Sequence, residues 1–157
     1  MAKKHARKEN PQSKEWVVST CGQSDLEQMV IDGVLPYQAT AGWHLAAGQR
    51  FPNPHDGEIV VFESFFYRGF VLPAHPFLRD LLQYYVIVLC HLTPNSILHI
   101  AIFINLCEAY LGIDPHFNLF RRFFQLKPFS EQGAPKIVGG VYLVLAMEWP
   151  ISTRWFR

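Results

Sequence analysis

The sequence predicts an α+β fold: a mostly helical single domain with a few short β-strands. Three observations lead there. Half of the 157 residues are hydrophobic and 15% are aromatic, with thirteen Phe, enough for one bulky core in a chain of single-domain length. Apolar residues recur at helical spacing through the middle of the chain. Proline, glycine and capping residues cut those stretches into short elements, and two β-branched runs are left over, near 58–62 and 137–146.

The first helix is expected near 24–32. Ser24-Asp25-Leu26-Glu27 fits a capping box, in which the serine hydroxyl accepts from the Glu27 amide while Glu27 reaches back. Leu26, Met29 and Val30 share a face, and Gly33 suits a left-handed stop. Glycines and prolines then mark turns from 37 to 58, with Trp43 as the anchor of this irregular stretch and PNPHDGE as a loop. Glu58 to Phe62 reads as a strand, and the spacing of Phe62, Phe65 and Phe66 predicts a short helix over 62–68, stopped by Gly69.

Pro76 suits the first turn of a helix over 76–90, with Phe77, Leu81, Tyr84, Tyr85 and Val88 as its stripe. The next helix, 94–111, has Thr93 as N-cap, Pro94 at the first position and Gly112 as the left-handed end. Ile100, Phe103, Ile104 and Leu111 are its expected buried face. Asp114 is the expected cap of a helix over 115–126 with Pro115 in its first turn, Leu119, Phe120, Phe123 and Phe124 facing inward, and Arg121 and Arg122 outward. IVGGVYLVLAM closes the pattern as a strand with a bulge or tight hairpin at Gly139-Gly140.

Net charge is +1, which provides no global field to attract nucleic acid, but its distribution is uneven. Lys3, Lys4, Arg7, Lys8 and Lys14 against Glu9 give residues 1–14 a charge of +4; the remainder, with 9 basic and 12 acidic residues, carries −3. Residues 1–19 are therefore expected to form a disordered basic tail, with Lys3, Lys4, Arg7 and Lys8 the candidate nucleic-acid contacts, and residues 20–157 the folded domain. Charged residues make up 17%, against about 25% in typical soluble domains. This suggests apolar surface covered by a partner or by further chain. Three cysteines without close spacing argue against a disulfide framework, and no apolar stretch follows the basic start as in a signal peptide. The longest apolar run, Ile97 to Leu106, is interrupted by His99 and Asn105 and is too short to span a membrane. An intracellular location, nucleus or cytoplasm, is expected.

Cys90, His91, His99, Cys107 and His116 invite a zinc reading, but His99 and Cys107 stand eight residues apart, about 12 Å along a helix. Neither GxSxG nor a phosphate-binding loop is present. The acidic residues are mostly caps, loops and helix faces. Glu108, alone on an apolar helix, is expected to pair with Arg121 or Arg122, and His99 to bond a loop carbonyl. No catalytic residue, cofactor, small-molecule substrate or metal site is expected.

Gly-Phe-x-Leu-Pro-x-His-Pro-Phe at Gly69 to Phe77, His-Leu-x-Pro-Asn-Ser-Ile at His91 to Ile97 and Cys-Glu-Ala-Tyr-Leu-Gly-Ile at Cys107 to Ile113 resemble the putative gypsy-type transposon domain, carried by reading frames of retroelement origin in plant genomes. The segments Ala41-Gly42-Trp43 and Pro52 to Phe62 are similar to it too, so the resemblance covers about residues 20–157. Longer members continue into a polar region, which implies that STRWFR is a truncated end. The resemblance implies no assigned reaction. It implies a non-enzymatic interaction or assembly domain of Gag-like type, with a protein partner or self-association. The alternatives are a nucleic-acid-associated element protein acting through its basic tail, and a fragment of a transposase or integrase.

Overall fold

The computed structural model describes residues 18–48, 54–128 and 139–146. Among them the order is α1 (Gln23–Ile31), α2 (Gln38–Ala41), α3 (Glu63–Phe66), α4 (Pro76–Tyr85), a 3₁₀ turn (Leu89–His91), α5 (Pro94–Asn105) continuing into a π-helical turn (Leu106–Leu111), α6 (Phe117–Phe123), β1 (Phe124–Pro128) and β2 (Val141–Leu145). The fold is α+β and mostly helical, as the sequence predicts.

Helix α5 is the centre. Its Ile97, Ile100 and Phe103 are buried together with Phe65, Phe70, Phe77, Leu81, Phe120, Phe124 and Leu143. The Phe103 ring meets Phe77 of α4 at 5.3 Å and Phe120 of α6 at 5.1 Å, the latter edge to face. The end of α5 is stitched to the sheet. The Thr93 hydroxyl caps the helix by accepting from the Ser96 amide at 3.2 Å. The buried Ser96 hydroxyl in turn accepts from the Leu143 amide at 3.0 Å. β1 and β2 pair antiparallel from Phe124–Leu145 to Pro128–Val141.

Several expectations are corrected. Residues 58–62 form no strand: no neighbouring strand pairs with them among the described residues, and the Glu58 carboxylate instead accepts from the His55 amide at 2.8 Å to close the turn. The helix expected over 62–68 is confined to Glu63–Phe66. Gly22, not Ser24, caps α1, its amide donating to the Asp25 carboxylate at 2.7 Å.

Helix α4 ends at Tyr85, because the β-branched run Val86-Ile87-Val88 loses side-chain freedom in a helix and bends away through a left-handed Val86 at φ 53°. Tyr84 and Val88 are consequently exposed. His116, not Asp114, caps α6, its Nδ1 accepting from the Leu119 amide at 3.4 Å, and Pro115 lies before the helix. That helix stops at Phe123, because the next five residues bond to β2 instead. Leu111 is 52% exposed: the i→i+5 turn contains one more residue than an α turn, so Leu111 falls out of line with Phe103 and Cys107. Residues 137 and 138 of the expected last strand, and 52 and 53 of the expected loop, lie outside the described residues.

Turn 67–69 runs hard against α5. Gly69 has φ 89°, and a Cβ there would come within 2.8 Å of the Ala101 methyl. Glycine meets both demands, the left-handed backbone and the close approach.

Phe103→Ala is expected to destabilise the domain by roughly 3–5 kcal/mol, through lost burial and an aromatic-lined cavity. Denaturant melts check it; a loss below about 1 kcal/mol would place the residue outside the core.

Candidate functional site

The turn at Gly69–Val71, the start of α4 and one side of α5 enclose a groove of about 310 Å³. Phe70, Val71, Leu78, Ile97, Ile100, Ala101 and Ile104 make it largely apolar, and polar groups enter at one end through His75, Asn105 and Glu108. His75 precedes Pro76, so it is the N-cap of α4, and its Nδ1 accepts from the Phe77 amide at 3.1 Å. That bond fixes the tautomer: Nδ1 offers its lone pair, so Nε2 carries the proton. Nε2 lies 2.9 Å from Glu108 Oε1 and donates to it. Glu108 is held on the π-helical turn, where Cys107 O accepts from both the Gly112 and the Ile113 amides. Gly112 closes that turn at φ 63°.

This clasp joins two helix ends that are thirty-three residues apart. It replaces the expected pairing of Glu108 with Arg121 or Arg122, since Glu108 faces α4 rather than α6. It also limits the chemistry. A general base needs a free lone pair facing substrate; here one imidazole nitrogen is spent on the helix cap and the other on the carboxylate. The arrangement positions elements and gives the groove a polar end.

A second, wider cleft of about 1,080 Å³ lies between residues 18–46 and 54–74. His44 Nδ1 stands 3.6 Å from Glu58 Oε1 across it, and the His44 and His55 rings are 6.4 Å apart. Both members of the ion pair are substantially exposed, so solvent screens it. Trp43 ties this region to itself, its indole N–H donating to the Pro36 carbonyl at 2.8 Å, and is not among the residues packed against the core.

None of the cysteines has a nucleophile's surroundings. Burial pushes the Cys21 thiol up, with the negative charges of Glu63 and Asp25 adding to it. Burial likewise raises Cys90. It also raises Cys107, with Glu108 adding. A thiol raised above its ordinary range stays protonated at neutral pH. Among the described residues His99 bonds no loop carbonyl: its ring stacks on Phe124 at 5.3 Å, and its buried Nδ1 has no partner among them. Among the described residues no three His, Cys, Asp or Glu are placed to hold a metal ion, and no helix is long and apolar enough to cross a membrane. Lys3, Lys4, Arg7 and Lys8 lie outside the described residues.

Residues 59–128 match the model of a family described as putative gypsy type transposon. Over that stretch the chain is similar to this family. The stretch contains the groove, both helices of the clasp, α6 and β1, while α1, α2 and β2 lie outside it. The three motifs on which the resemblance rests fall inside, and the fold gives each a physical role. Gly69 to Phe77 builds the groove wall and the His75 cap, His91 to Ile97 caps α5 and bonds β2, and Cys107 to Ile113 is the π-helical turn with Glu108. Comparisons with curated proteins and with solved structures gave no match.

The clasp went unseen in the sequence because its members are far apart. A signal existed for one half: a residue directly before a first-turn proline is an N-cap, and histidine can fill that place with Nδ1. His75→Asn is expected to keep the cap and lose only the bond to Glu108, whereas His75→Ala loses both. Thermal melts should rank wild type above Asn above Ala, with Ala about 1–2 kcal/mol below wild type. Equal stability of all three would mean that the clasp holds nothing.

Proposed function

We propose that the domain is a non-enzymatic interaction and assembly module of a gypsy-type element, Gag-like in operating through self-association. The observation that carries this reading is the solvent side of the α5 rod. Ile102 is 53% exposed and Tyr110 80% exposed, with Leu111 and Ile113 also in solvent beside the apolar groove. Exposed apolar area of this kind marks contact surfaces. A groove lined by Val71, Ala101 and Ile104 next to such a ridge offers both halves of a helix-to-groove contact between copies.

The carboxylates support the non-enzymatic part. Two-metal transfer of the transposase or integrase kind needs several converging on one point. Here Asp25 bonds the α1 cap, Glu58 a turn amide and Glu108 the clasp. A second reading, association with nucleic acid through Lys3, Lys4, Arg7 and Lys8, is supported by the +4 charge of residues 1–14 against −3 for the rest.

Sedimentation velocity over a concentration series tests the first reading. The wild-type chain should form dimers or larger species. Ile102→Asp with Tyr110→Asp should shift it toward monomer without changing its far-ultraviolet circular dichroism. A wild-type chain that stays monomeric at the highest concentration overturns self-association.

A further inference from the structure

At the C-terminal end of α4 the chain builds an aromatic surface outside the clasp, in which Tyr85 packs partly against the core while Tyr84 faces solvent. Tyr84 is 59% exposed, and its ring lies 4.0 Å from Phe117 of α6 and 5.2 Å from Tyr85, centroid to centroid. Tyr85 and Phe117 meet at 5.8 Å. The Arg121 guanidinium stands over the Phe117 ring at 5.6 Å. Burial pushes the Tyr85 hydroxyl up and the Arg121 charge pulls it back. Arg122 is exposed next in sequence, and neither arginine makes an ion pair with a described residue. Asp80, one turn before Tyr84 on α4, is the acidic group that bounds the patch on that side.

We propose that Tyr84, Tyr85, Phe117 and Arg121 form a stacking platform for single-stranded nucleic acid, with Arg121 and Arg122 meeting its phosphates. The chemistry selects this occupant. Bases stack on exposed aromatic rings whatever their sequence, and an arginine beside those rings contributes both cation–π attraction and phosphate contact. Two arginines without acidic partners among the described residues are complementary to a polyanion and not to the apolar ridge proposed for self-association. The inference is independent of that reading: it shares no residue with the ridge. It also differs from the basic-tail reading, because stacking survives salt better than phosphate contacts made by the lysines and arginine of residues 1–14.

The test uses the full chain and fluorescence-anisotropy titration with a labelled single-stranded oligouridine, in low and moderate salt, with inorganic polyphosphate as the competitor that has charge but no bases. Tyr84→Ala should weaken oligouridine binding about tenfold and leave polyphosphate binding unchanged. Tyr84→Phe should restore wild-type affinity, since the ring and not the hydroxyl does the stacking. Arg121→Gln should weaken both ligands and flatten the salt dependence. Circular dichroism of each variant establishes that it folds. If Tyr84→Ala and Arg121→Gln both bind oligouridine as the wild type does, or if only neutralising Lys3, Lys4, Arg7 and Lys8 abolishes binding, the proposal is wrong. It is equally wrong if Tyr84→Ala changes the sedimentation of the protein but not its oligouridine affinity, because the surface is then a protein contact.

Discussion

The structure depends on the burial of one ring. Phe103 is 1% exposed, and Phe77, Phe120, Phe123 and Phe124 all place their rings within 6.5 Å of it. These residues come from α4, α6 and β1, so a single side chain on α5 fixes three neighbours. Aromatic pairs add specific geometry to area burial, which favours one mutual arrangement over many. Once α5 has this position, its start must meet β2 through Thr93 and Ser96, and its end must place Glu108 opposite His75. Residues 18–48 are attached more lightly. Met29 and Leu35 are buried, but they stand apart from the aromatic cluster, with the wide cleft between residues 18–46 and 54–74.

The polar residues of the motifs follow from this constraint. A helix whose inner face is packed into the core must still satisfy its ends, and buried donors left alone are costly. Thr93 satisfies the first amides, Ser96 extends the network to the sheet, and at the wide turn the Cys107 carbonyl accepts from the Gly112 and Ile113 amides. What looks in the sequence like a site among apolar residues is largely the termination chemistry of one central helix. His99 is the exception: its buried Nδ1 has no partner among the described residues.

Much of this could be read from local chemistry. Thr93-Pro94, Gly112, Pro76 and Gly33 each specify a backbone geometry alone, and the helix ends they mark are found there. Some errors are local, such as the caps at Gly22 and His116 and the end of α4 at Val86, and the others depend on partners distant in sequence or on an inserted turn. Glu58 to Phe62 has the composition of a strand but no strand beside it. Phe124 has the spacing of a helix but pairs with Leu145. Leu111 has the right interval to be buried, yet an inserted turn rotates it outward. Glu108 was placed near the arginines that follow it in sequence, whereas its partner lies on the helix before. The candidate surfaces were the least legible, because the Tyr84–Phe117 stack and the groove wall at Gly69–Ala101 both join separate elements.

The picture is of a scaffold centred on α5, with a lightly attached N-terminal part and its remaining chemistry on outward faces. Native-state hydrogen exchange across a denaturant series tests that centre most directly. The account predicts that amides from Ile100 to Ile104 exchange only through global unfolding, with the full denaturant dependence of the equilibrium transition, while amides of α1 exchange through smaller local openings. If the α5 amides exchanged as readily as those of α1, with little dependence on denaturant, Phe103 would not be the element that organises the fold.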